Sequence, residues 1–186
     1  MRRAESVFDR RSVARLGRIL AAALALSTAR ATGLPAQEAA PGPKRPFQDA
    51  LLEKLAGDWE IMRAMRDKEV RNRASARWIL GHQFLELRMT DVASPPAYEA
   101  LVLLGEGSGD GRYVVYWCDT WGGPFSATGV GRRAGDTIEF ELHYPDGPFF
   151  NTFSWDARGG TWTSRMENTD RDGYRSLFAV DTYRRP

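Results

Sequence analysis

Arg63 stands where an alternating segment should present a side chain to a core. In "DWEIMRAM" the residues Trp59, Ile61 and Met65 share one face of an extended strand, and Arg63 falls on that same face between the last two. A charge on a buried face is costly unless a partner or water meets it. Two readings follow. Either a bulge or strand end lets Arg63 reach solvent, or an interior guanidinium holds a ligand carboxylate with its two-pronged geometry. The same parity, applied along the chain, brings Gln83, Tyr113, Tyr144, Asn151, Ser164 and Ser176 to the inward face together with Trp117. A mostly apolar interior with a few polar groups is how small-molecule sites are built. Each of these groups also suits a bond to a neighbour or to buried water.

Asp119 follows Trp117 and precedes Thr120-Trp121-Gly122-Gly123. A carboxylate at such a strand-to-loop step suits a catalytic acid, or a cap on the amides of the loop. Trp121 reads as a rim aromatic. Other chemistries lack their residues. Cys118 is the only cysteine, so no intrachain disulfide forms, and it reads as a half-buried strand residue. His82 and His143 are the only histidines, both on outward parity, and no His/Cys/Asp cluster has the spacing of zinc ligands. Neither "GDGR" nor "DRDGY" has the acidic spacing of a calcium loop. No phosphate-binding loop, dinucleotide fingerprint or serine elbow is present. No catalytic residue, metal or cofactor is therefore assigned.

The expected partner is a small apolar or amphipathic ligand touching Arg63, Gln83, Tyr113, Trp117, Tyr144 and Asn151, with an anionic group as the option that Arg63 suggests. Two alternatives stay open. One is an enzyme of hydrolase or isomerase type using Asp119 and interior tyrosines. The other is a cavity-free interaction module presenting Arg71, Arg73 and Arg77.

The elements that must position these residues read as strands. "FQDALLEKL" spaces Phe47, Leu51, Leu52 and Leu55 as a short amphipathic helix, which Gly57 ends. Beyond it, alternating segments recur every 8 to 12 residues or so, as in an antiparallel sandwich or barrel. Strands are expected over 58–66, 70–80, 83–91, 97–105, 112–119, 124–132, 136–145, 148–156, 161–168 and 173–185. Between them, "GDG", "AGD", "PDG", "ARGG" and "DRDG" are short hairpin links. "TIEFELHY" is the clearest case, with Ile138, Phe140, Leu142 and Tyr144 on one face. On the last strand parity points Phe178, Val180, Thr182 and Arg184 inward; the fourth strand, "YEALVLLGE", is apolar on both faces and has no readable orientation. Short links between successive strands imply a closed antiparallel up-and-down barrel of about ten strands, which removes exposed edges and leaves room inside.

The 186-residue chain suits one such domain. Its formal charge of +2 hides an uneven distribution, because seven of 26 basic residues but only two of 24 acidic ones lie in the first 36. The remainder carries −3, which gives no basis for nucleic-acid binding. A basic run ending at Arg18, an apolar run from Ile19 to Leu26 and then small residues read as a signal peptide over 1–36, cleaved after Ala31 or Ala36. The apolar run is far shorter than the roughly 20 residues of a membrane span. Residues 37–46, "QEAAPGPKRP", form a linker, and 47–186 form the barrel domain of a secreted or periplasmic protein.

Gly57-Asp58-Trp59 resembles the Gly-x-Trp opening of lipocalins and other calycins. "LAGDWEI", "ILGHQFLEL", "YVVYWCDTWGG" and "TYRR" together resemble an uncharacterised family of bacterial lipocalin-like proteins, catalogued as a domain of unknown function, over most of residues 50 to 186. His82 stands where that resemblance leads one to expect a second glycine. The resemblance implies that Gly57 and Trp59 close one end of the barrel and that Arg184 from the last strand covers the indole. One calycin branch, the nitrobindins, binds haem through a histidine; the outward parity of His82 and His143 speaks against haem here.

Overall fold

A computed structural model describes residues 45–108 and 111–186; the expected signal peptide and nearly all of the expected linker lie outside the described residues. Ten strands follow one helical turn: α1 (Leu52–Leu55), β1 (Gly57–Met65), β2 (Lys68–Ile79), β3 (Phe84–Asp91), β4 (Glu99–Glu106), β5 (Arg112–Asp119), β6 (Ala127–Ala134), β7 (Thr137–Tyr144), β8 (Gly147–Asp156), β9 (Thr161–Thr169) and β10 (Arg175–Arg184). Each strand pairs antiparallel with its sequence neighbours, and β1 pairs with β10, closing an up-and-down barrel. The helix is shorter than the spacing from Phe47 suggested. Asp49 Oδ1 accepts the amides of Leu51 and Leu52 at 2.8 Å, leaving room for one turn before the chain enters β1. No helix among the described residues is long and apolar enough to cross a membrane.

Strand direction gives the barrel two unlike ends. At the floor lie α1, the start of β1 and the end of β10; at the mouth lie the β1–β2, β3–β4, β5–β6, β7–β8 and β9–β10 links. The floor half is apolar and aromatic. Trp59, Phe140, Phe153, Trp162 and Tyr183 are fully buried, and their rings meet at tilted or edge-on angles with centroids about 6 Å apart. Leu51, Leu52 and Leu55 add the apolar face of α1 to this cluster.

Inward parity matches the sequence reading on β1, β2, β3, β5, β7, β8 and β9. On β10 it inverts. The β9 register jumps between Leu177 and Ala179, so Phe178 is an extra residue in a bulge and every later side chain changes face. Ala179, Asp181 and Tyr183 are buried, whereas Phe178 and Arg184 are exposed; Ser176, before the bulge, is exposed at the mouth end of the strand. His82, in place of the expected glycine, holds a positive φ of 67°. Its ring stacks on Trp78 at 4.0 Å and Nδ1 lies 2.7 Å from the Phe47 carbonyl, contacts that hold this uncommon conformation.

Candidate functional site

The floor is a closure. Trp59 donates its indole N–H to the Leu55 carbonyl at 2.7 Å and packs edge-on against Tyr183. The cation that covers it is Arg185, not Arg184: its guanidinium lies 3.7 Å from the indole centroid and donates to the carbonyls of Lys54, Ala56 and Asp58. The β10 bulge explains the correction, since it turns Arg184 outward, opposite Glu60. Gly57 makes the stack possible. A Cβ there would collide with Arg185 Nη1, and its φ of +118° is one that other residues rarely adopt.

Two expected ligand contacts belong to this closed end. Tyr113 donates its hydroxyl to Asp49 Oδ2, tying the α1 approach to β5. Gln83 donates to the Arg45 carbonyl, anchoring the segment before α1. Both side chains hold the floor to the barrel, away from the other four.

Above the aromatic cluster runs a polar belt. Arg63 is 8% exposed and Asp181 1%, and they form two hydrogen bonds of 2.7 Å, Nε to Oδ1 and Nη2 to Oδ2. Arg63 therefore neither reaches solvent nor holds its fork open for a ligand carboxylate; its partner is a carboxylate of the same chain. Burial pulls the guanidinium pKa down, but the hydrogen bonds and charge of Asp181 more than offset this and hold it above the ordinary arginine value. Ser164 lies opposite Asp181 in the strand register and donates to Asn151 Oδ1 at 2.6 Å. The belt thus runs Asn151, Ser164, Asp181, Arg63 across β8, β9, β10 and β1. Two buried amides keep unmet bonding capacity: Asn151 Nδ2, and both Nδ2 and Oδ1 of Asn72 on β2, have no hydrogen-bond partner among the described residues.

At the mouth, Tyr98 extends the belt towards β5. Its ring lies under the Arg63 guanidinium at 5.1 Å, and its hydroxyl donates to Asp119 Oδ2 at 3.3 Å. Burial pushes the Tyr98 phenol up to about 12; the Arg63 charge works against that and Asp119 adds to it. Tyr144, half-buried, is also pushed up to about 12, by burial first and then by Asp119 and Cys118. Both phenols thus feel the Asp119 carboxylate. Trp117 is inward on β5, and Phe149 bridges Tyr144 and Phe178 with ring centroids 6.1 and 5.7 Å away. Asp119 Oδ1 accepts the Trp121 amide at 3.0 Å, so this carboxylate caps its loop. Arg63, Trp117, Tyr144 and Asn151 are brought to this half of the barrel.

Sequence reasoning missed four members. Tyr98 sits at the entry to the strand that could not be oriented. Asp181 and Arg185 were hidden by the bulge. Asn72 was readable, because it shares parity with Ala74 and Ala76.

Elsewhere, a cleft of about 630 Å³ lies on the outer surface over β1, β2 and β3, where Glu60, Arg73, Ser75 and Thr90 line it. Of the outward arginines, Arg77 bonds Asp58 at 2.6 Å, while Arg71 and Arg73 are exposed. Cys118, expected half-buried, is exposed on β5. Among the described residues no group of three or more His, Cys, Asp or Glu is placed to hold a metal ion. His143 is exposed and His82 is held at the floor, so neither side chain belongs to the mouth.

No family model matches the chain, and no curated protein matches it. Among solved structures, it is similar to the crystal structure of Rv2717c from M. tuberculosis, with a TM-score of 0.55 and 15% identity over 75% of this chain and 99% of that one. That likeness is one of fold. A redesigned beta barrel aligns at a TM-score of 0.32 and 16% identity, covering 76% and 99% of the two chains, too distant to bear on architecture.

Proposed function

We propose that this is an exported, calycin-like barrel that binds a small, mostly apolar molecule at its mouth. The observation that carries the reading is the pairing of half-buried rings, Tyr98, Tyr144 and Phe149, with a buried polar belt beneath them that still has unmet bonding capacity at Asn72 and Asn151. An unpaired buried polar group costs about 1 to 3 kcal/mol, so these amides gain from a bound molecule that bonds them. Rings supply apolar area and the amides supply orientation, the division of labour found in small-molecule sites. The ion-paired Arg63 serves as a fixed part of the base of the site. The floor arrangement of Gly57, Trp59 and Arg185 supports the calycin resemblance.

The reading is tested with the fluorescent probe N-phenyl-1-naphthylamine, which is neutral and aromatic. Emission should rise saturably at one probe per chain, and Tyr144→Ala and Trp117→Ala should each weaken binding by about tenfold, equivalent to about 1.4 kcal/mol. No saturable rise, or wild-type affinity in both variants, would contradict it. Export is supported by the basic and apolar runs before Ala31 and Ala36. Protein recovered from a bacterial periplasm should have the intact mass of a chain starting at residue 32 or 37; a full-length mass would refute export.

A further inference from the structure

We propose that the molecule taken at the mouth is an organic cation, an amine or quaternary ammonium on an apolar body, with its charge set against Asp119 and the surrounding rings. The inference rests on the binding reading above and gives it a ligand class. Its first support is the pairing of the inward charges. Arg63 and Asp181 cancel within one buried pair, so the guanidinium that would attract an anion is already committed. Asp119 is left. Among the described residues no cationic side chain forms an ion pair with it, and its two oxygens accept from neutral donors, the Trp121 amide and the Tyr98 hydroxyl. Asp119 is therefore a carboxylate on the inward parity of β5 without a cationic partner.

The second support is what surrounds that charge. Tyr98 is bonded to the carboxylate, Tyr144 lies within its electrostatic reach, and Trp117 is two residues before it on the same inward face of β5. Trp121, 66% exposed, is fixed beside it through its own amide and meets Phe125 edge-on at 6.4 Å. The negative faces of aromatic rings attract ammonium groups, and alkylated amines are recognised by aromatic cages. A carboxylate ligand would instead face the Asp119 charge with the Arg63 guanidinium already committed to Asp181.

Three ligands with the same ten-carbon chain separate these cases: decyltrimethylammonium, decanoate and decanol, each competed against N-phenyl-1-naphthylamine on the exported protein. Decyltrimethylammonium should bind at least about tenfold more tightly than decanoate, and Asp119→Asn should bring the two towards parity. Asparagine keeps an oxygen for the Trp121 amide, so the loop cap survives the substitution. An independent readout needs no variant: the wild-type preference should shrink between about 0.01 M and 1 M salt, as the screening length falls from about 30 to 3 Å. Decanoate binding as tightly as the cation, or a preference untouched by both Asp119→Asn and salt, would overturn the proposal while leaving a binding barrel. Failure of N-phenyl-1-naphthylamine to bind would instead remove the binding reading itself, and the cation assignment with it.

Discussion

Arg63 and Asp181 are 118 residues apart in the chain and directly opposite each other in the pairing of β1 with β10, joined by two hydrogen bonds of 2.7 Å. That pairing is the seam at which the first and last strands close the barrel. The ion pair therefore fastens the seam from inside and also forms part of the base of the mouth.

Breaking one side of the pair should be far worse than removing both. Arg63→Met leaves the Asp181 carboxylate buried without a counter-charge, a change that costs about 3 to 5 kcal/mol. The double variant Arg63→Met/Asp181→Leu should recover most of that loss, since two apolar side chains of similar size satisfy the interior. Urea unfolding of the two single variants and the double variant measures the coupling. Equal destabilisation in the double variant and the worse single one would contradict it.

The floor gives a sharper contrast between neighbours. Arg185→Ala removes the cation over Trp59 and three hydrogen bonds to carbonyls, and should cost about 1 to 2 kcal/mol. Arg184→Ala should stay within about 0.5 kcal/mol, as expected of an exposed side chain. Thermal melts of both variants decide which arginine closes the barrel.

Much of this architecture is legible before any coordinates. Alternation in "TIEFELHY", "DWEIMRAM" and "RYVVYWCD" fixes which side chains face in, because a strand's period of two tolerates no slip once one face is buried. The last strand defeats the same logic for a local reason. Leu177, Phe178, Ala179 and Val180 are all apolar, so no polar residue marks the point where the bulge inserts its extra residue. Asp181 consequently reads as outward, and Arg63 looks like a charge without a partner. The demand for a partner was itself the usable signal, since the strand that closes on β1 had to supply one. Tyr98 was hidden differently: with both faces of "YEALVLLGE" apolar, only the β4 register with β3 and β5 orients its strand.

Alkaline stability follows from the buried phenols. Tyr98 and Tyr144 have folded-state values of about 12, against about 10 for an unfolded chain. Burial likewise raises Tyr113 and Tyr183. The unfolded chain therefore releases these protons first and binds fewer of them as pH rises through its own value. Their contribution to stability is complete below about pH 10 and is lost on the way to about 12. In an absorbance titration at the phenolate band, four of the six tyrosines should ionise above the unfolded value, accompanied by loss of the folded circular-dichroism signal. Ionisation of all six at the free-tyrosine value with the fold intact would be the contrary outcome.

The central claim is that the mouth, rather than the floor or the outer cleft, receives a ligand, and an amide chemical-shift map of N-phenyl-1-naphthylamine binding tests it most directly. Shifts should concentrate at the mouth ends of the strands, around Arg63, Tyr98, Trp117 to Trp121, Tyr144 and Phe149 to Asn151, and leave Phe47 to Trp59 unmoved. Shifts centred on Glu60, Arg73 and Thr90 would place the ligand in the outer cleft and contradict the account.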